Sequence, residues 1–347
     1  MELYLNQLID SIKSKLDMVI NEMKLEKSPV KFIDKHIEYL NIVEKVKGPF
    51  TPSIIINIIL NKFKYYQKLI FKYKLIIIEF NILNDSLDID IQSVIQMAIK
   101  VNILIESCIR NNQINKFIKI YYIPIKKKKK IKFDNSKCFF SSKHINSGFT
   151  NRSNNDTYSV IFREEEHDKV LLHEMIHYLD LEFSNIYADD IHLNILQNYD
   201  LVSDIKYINL FEAYTDFMAI LYNSIINGII QKKSIKKILQ NEQKYQNHLN
   251  SKILDYFGMS HIVTSLNTKK GKLKQTTNVI SYFFFKSILM DNYPKILKLY
   301  PLGVSWNRKI IEQLYNLIND KIKQKIYVTP AKNIYKKKNL YLRMTYL

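Results

Sequence analysis

The sequence predicts an α+β chain, predominantly helical, with a small sheet placed just before one short chemistry-bearing helix and a helical lobe after it. Three observations lead there. Apolar residues recur at helical spacing through most of the first third and nearly all of the last third. Two runs with strand character, at 117–125 and 157–163, stand close together in the middle. Residues 170–180, Val-Leu-Leu-His-Glu-Met-Ile-His-Tyr-Leu-Asp, place polar chemistry in an otherwise apolar helical pattern.

Taken in order, residues 1–47 carry Leu5, Leu8, Ile12, Leu16 and Val19 at helical spacing and predict two helices meeting near Ser28-Pro29. Gly48-Pro49-Phe50-Thr51-Pro52 is a turn. A helical pattern resumes over 53–83, although 75–80 fit a strand equally well. A break at 85–90 precedes a helix over 91–109 that ends at Asn111-Asn112. No recognisable chemistry lies in this third. It is expected as an N-terminal helical domain, 1–115, with a second domain over 116–347.

The texture changes at Lys116. Between the two strand runs, residues 142–155 are rich in Ser, Asn and Gly and suit a loop or hairpin connection. The sheet is therefore expected at about 116–165, the central helix at about 167–181 and a helical lobe over about 205–347, with turns at Gly258, Lys270-Gly271 and Pro301-Leu302-Gly303. Glu164, Glu165 and Glu166 precede the central helix. Their charge favours its positive N-terminus, and a substrate amine is the other group they suit.

His173, Glu174 and His177 form an H-E-x-x-H pattern. On a helix the two imidazoles project from one face and can grip one zinc ion, while Glu174 stands beside them as a base for water. Catalytic zinc takes three protein ligands and keeps one position open, so a further ligand is required. A metzincin continuation fails, because Asp180 and Phe183 stand where Gly and His are needed. Glu212 and Asp216 share one face of an apolar helical pattern over 209–221. Glu212 can complete the site, and Asp216 can accept the free ring N–H of His173. Asp190 and His192 are the alternatives to Glu212, on a less clean amphipathic segment.

His173-Glu174-Met175-Ile176-His177 followed by Glu212-Ala213-Tyr214-Thr215-Asp216 resembles the gluzincin metallopeptidases, the thermolysin-like clan, over roughly residues 155–225. The resemblance implies a zincin-like catalytic domain, Zn2+ as cofactor, His173, His177 and Glu212 as ligands, Glu174 as general base and Asp216 in support of His173. It further implies a small-sheet edge strand that holds extended peptide by backbone pairing, and a downstream Tyr or His as oxyanion donor. Tyr282, on an otherwise apolar helical stretch, suits that role, with His261 as the other choice and plain core packing as the competing role for Tyr282. The expected function is zinc-dependent hydrolysis of peptide bonds in a peptide or protein substrate.

A second expectation comes from charge. The chain is 347 residues long with a net charge of +19 and a pI of about 9.5, and it carries five consecutive lysines, Lys126 to Lys130, and a further cluster, Lys336-Lys337-Lys338. These fit a nucleic-acid-binding protein with a structural or vestigial zinc site, or a nuclear localisation signal; a solvated loop that blocks edge pairing fits them too. Lys, Ile, Asn and Tyr are abundant together, as AT-rich coding also produces, so the charge alone does not specify a nucleic-acid partner. Cys108 and Cys138 make no disulfide framework and suit a reducing compartment. The start lacks a signal-peptide pattern, and the apolar runs at 54–60 and 75–78 fall short of the roughly 18 residues of a membrane span. An intracellular, cytoplasmic location is expected.

Overall fold

The computed structural model describes residues 2–34, 36–48, 50–108, 116–132, 139–153, 156–186, 188–257, 259, 261–262, 273–325 and 339–347. The expected helix end at Asn111-Asn112, Cys138, the turns at Gly258 and Lys270-Gly271 and the cluster Lys336-Lys337-Lys338 lie outside the described residues. The fold is α+β and predominantly helical.

Helix α1 (Glu2–Glu22) turns Leu5, Ile12, Leu16 and Val19 inward, as the spacing requires. Strands β1 (Lys24–Lys27) and β2 (Lys31–Phe32) lie on either side of Ser28-Pro29, and helices α2 (Ile37–Val46) and α3 (Ser53–Lys62) follow. The helical reading of 53–83 holds only as far as Lys62. Beyond it, β3 (Tyr65–Tyr73) and β4 (Ile76–Asn84) form an antiparallel hairpin, with Lys74 at the turn in the left-handed region, φ 51°. Both strands are apolar on most residues, so neither period stands out in the sequence. Cross-strand pairing and burial decide the outcome.

Helix α4 (Ile91–Cys108) supplies the long crossover that parallel strands need, joining β4 to β5 (Lys116–Tyr122). Then come β6 (Lys130–Lys132), the single turn α5 (Ser142–Ile145), β7 (Gly148–Asn151), β8 (Tyr158–Ile161) and α6 (His167–Tyr178). The main sheet runs β1-β3-β4-β5-β8-β7, with β2 also paired to β3. Strands β4, β5 and β8 are parallel, and β7 closes the edge antiparallel to β8. Because β4 precedes residue 116 and β5 follows it, one sheet carries strands from both expected segments, and the N-terminal region is not all helical.

Two compact units emerge. The first comprises Met1–Lys128, Asn146–Leu181 and Leu221–Ile235. Within it, α2 and α3 cover the sheet face that carries Tyr66, Tyr121, Phe149, Tyr158 and Val160. Helix α6 packs against β7, β8 and α4. Gly148 is needed for this fit, since a Cβ there would lie 2.8 Å from the carbonyl oxygen of Val160.

The second unit comprises Lys129–Ile145, Glu182–Ile220 and Lys236–Leu347. It contains α7 (Asp189–Asn198), β9 (Leu201–Val202), the start of α8 (Leu210–Ile230), α9 (Ile235–Tyr256) and β10 (Leu273–Lys274). A π-helical stretch, Ile280–Phe285, leads into α10 (Lys286–Asp291), followed by α11 (Tyr293–Leu299), α12 (Arg308–Gln324) and β11 (Asn339–Tyr341). The turn read at Pro301-Leu302-Gly303 is present, with Gly303 at φ 79°. Among the described residues no helix is long and apolar enough to cross a membrane.

Candidate metal centre

Helix α6 buries Val170, Leu171, Leu172, Met175 and Ile176, which fixes how it sits and places His173 and His177 on successive turns of one face. Their Nε2 atoms approach to 3.1 Å, with ring planes inclined by 74°. Glu212, in the first turn of α8, completes a group. His173, His177 and Glu212 each offer one ligand atom, all within 4.8 Å of one another, and could hold a metal ion. The donor set suits a divalent cation: two imidazole nitrogens and a carboxylate oxygen. Tetrahedral bonds of about 2.0–2.1 Å would separate two nitrogens by about 3.3 Å, close to the 3.1 Å present here.

Glu174 is buried beside the pair, and its carboxylate oxygen Oε2 accepts from the hydroxyl of Thr150, 2.9 Å away on β7. Behind the helix, the fully buried Lys100 of α4 donates to Asp168 in the first turn of α6 and, at 2.8 Å, to Asn223 on α8. One ammonium thus ties the helix bearing both histidines to Asn223, within the first unit. Burial pushes the Asp168 carboxyl up, yet its contact with His167 and the charge of Lys100 outweigh that and hold it at about 2. His167 Nε2 lies 2.9 Å from Ser93 Oγ, and its Nδ1 donates to the carbonyl of Glu164 at 2.8 Å.

Of the residues singled out by sequence, Tyr282 touches the acidic member of the group: its hydroxyl donates to Glu212 Oε2 at 3.0 Å. Asp216 is fully buried and accepts from the equally buried Lys286 at 2.8 Å. Asp190 and His192 lie outside the metal-holding group; Asp190 pairs with Arg308, and His192 stands 3.7 Å from Asp189. His261 places Nε2 2.9 Å from the carbonyl of Lys325. Among the three glutamates before α6, Glu166 occupies the N-cap with φ 65°, but its side chain does not cap the helix, and the acid in the first turn is Asp168. Lys129 of the lysine run is buried, with Lys126, Lys128 and Lys130 exposed around it, and β6 begins at Lys130 and pairs with β11. Cys108 is half-buried, and desolvation of its thiol pushes it up to about 12.

Thr150, Arg152, Lys100 and Lys286 were not legible as site residues. Arg152 donates to Asp180 at 3.0 Å and reaches within 3.3 Å of His177 Nδ1. Lys286 carries a usable signal together with its partner: it is a single cation in the apolar run Phe-Phe-Phe-Lys-Ser-Ile-Leu-Met, as Asp216 is a single acid in Thr-Asp-Phe-Met-Ala. Two isolated opposite charges on two buried helices suit each other.

No family model matches the chain, and no solved structure matches it. Over 183 residues it is 27% identical to an uncharacterized protein of Acanthamoeba polyphaga mimivirus, a match that covers 50% of this chain. The matched stretch takes in 45% of the viral protein, less than half of its length.

Proposed function

We propose that this chain is a zinc-dependent peptide hydrolase of the gluzincin kind. The observation that carries the reading is the convergence of His173, His177 and Glu212, three donors of the type zinc takes in hydrolases, with Glu174 next to the histidine pair. Zinc held there would supply acidified water and a polarised carbonyl.

The remaining steps belong to the chain. Glu174 accepts a proton from the attacking water and delivers it to the departing amine. Thr150 keeps one oxygen of that carboxylate engaged. Tyr282, whose hydroxyl rests on Glu212, is the donor for charge developing on the carbonyl oxygen. An extended peptide aligns its backbone along β7, the edge strand nearest Glu174.

The test combines metal analysis with cleavage of a peptide library in the presence and absence of chelator. Purified protein should carry about one zinc per chain, as a site of three protein ligands does. Glu174→Gln should keep the metal and lose hydrolysis, and Glu212→Ala should lose the metal. Undiminished turnover by Glu174→Gln removes the proposed base.

A further inference from the structure

The phase of the β7 ladder follows from one bond: the Phe162 N–H donates to the carbonyl of Ser147 at 2.9 Å. Antiparallel partners alternate between pairs that exchange backbone bonds and pairs that do not. Counting from Ser147 and Phe162, Phe149 and Val160 exchange bonds, whereas Thr150 stands opposite Ser159 in a pair that does not. The backbone N–H and C=O of Thr150 therefore face away from β8, on the side of β7 where no further strand pairs among the described residues.

Its side chain turns the other way. Alternation along β7 places Phe149 in the core under α2 and α3 and Thr150 on the opposite face, against α6. There Oγ1 lies 2.9 Å from each of three atoms: Ser159 Oγ, the backbone oxygen of Glu174 and Glu174 Oε2. A hydroxyl has one proton to give and two lone pairs. Ser159 can fill one lone pair, which leaves the Thr150 proton to be shared between the backbone oxygen and the Oε2 of Glu174.

We propose that Thr150 is a positioning residue that couples the docking of an extended polypeptide on β7 to the placement of the Glu174 carboxylate. The inference rests on the hydrolase reading above, with Glu174 as its base. A substrate residue whose N–H and C=O pair with the C=O and N–H of Thr150 fixes the backbone from which the hydroxyl reaches Glu174. Substrate backbone contacts at this position then raise kcat as well as affinity, since a misplacement of about 1 Å can cost about a hundredfold in rate.

The experiment uses an internally quenched octapeptide that the full chain cleaves, together with its singly N-methylated analogues, each of which lacks one backbone donor. Wild type, Thr150→Val, Thr150→Ser and Glu174→Gln are compared, with zinc content and circular dichroism recorded for each. Thr150→Val should lose about tenfold to a hundredfold in kcat with zinc content and KM little changed, and Thr150→Ser should recover most of it. In wild type one N-methylated analogue should lower kcat and raise KM; in Thr150→Val the same analogue should raise KM alone. Should Thr150→Val fail to fold, the analogue series on wild type decides: a rise in KM with kcat constant throughout overturns the coupling. Equal kcat for Thr150→Val and wild type also overturns it, while the hydrolase reading survives. A wild-type chain that cleaves no peptide, or an active Glu174→Gln, overturns both together.

Discussion

Tyr282 donates its hydroxyl proton to Glu212 Oε2 at 3.0 Å, from a stretch of π-helix within an apolar run. An extra residue per turn is costly in a helix and tends to occur where a side chain has to be aimed. The sequence left two roles for this phenol, oxyanion donor and core packing, and the proposed function assigns it the first. Tyr282→Phe should keep zinc near one per chain and lower kcat by about 10²- to 10³-fold, the usual effect of removing one such donor. Full activity with full metal content would return Tyr282 to plain packing.

Lys286 and Asp216 form an ion pair with neither side chain exposed. Removing one partner strands a buried charge, which costs about 3–5 kcal/mol. Lys286→Met should therefore lower the unfolding free energy by that order in urea titrations, and Lys286→Met combined with Asp216→Leu should regain most of the loss. Lys286 also donates to the carbonyl of Met344 at 3.1 Å, and Glu242 accepts from the backbone N–H of Tyr346 at 2.9 Å. Loosening of the last residues should accompany the single change, detectable as faster hydrogen exchange at 342–347.

How much of this was legible in sequence depends on the range over which each signal acts. The helix of His173 and His177 was readable because spacing by four is a local property, and the face of Glu212 and Asp216 because it lies in one apolar helical run. The hairpin of β3 and β4 was readable only in part, since 75–80 fit a strand as well as a helix whereas 65–73 read as helix. Residues 75–80 are apolar almost throughout, and only their pairing with β3 and β5 makes them a strand. Thr150 escaped for the same reason: four residues of β7 show no clear period, and its meeting with Glu174 depends on how α6 packs across the sheet. Lys100 lies in the middle of an apolar helix, where sequence alone shows only an out-of-place cation.

Arg152 places Nη2 3.3 Å from His177 Nδ1. Arginine only donates, so in this arrangement Nδ1 accepts and Nε2 keeps its proton, directed at His173 Nε2. A cation needs both Nε2 lone pairs, so uptake has to move that proton to Nδ1, against the hydrogen bond from Arg152. Arg152→Leu should therefore tighten zinc binding by about fivefold, equivalent to about 1 kcal/mol for one hydrogen bond. A zinc titration by competition with a coloured chelator measures it. Weaker binding in the variant would mean that Arg152 holds the site together rather than opposing the metal.

The last expectation concerns acid. In the fold Asp168 titrates at about 2, below its ordinary 3.8, because His167 and Lys100 outweigh the cost of its burial. A carboxylate with a depressed pKa contributes stability that is fully present above its unfolded value and disappears as pH falls through its folded value. The window is thus about pH 4 down to about pH 2, and the contribution is about 2 kcal/mol. Asp168→Asn, which cannot ionise, should be less stable than wild type near neutrality, and the gap should narrow by about that amount across the window. Urea unfolding at a series of pH values measures the gap. A constant difference from neutrality to pH of about 2 would show that Lys100 and His167 do not hold Asp168 in its ionised form.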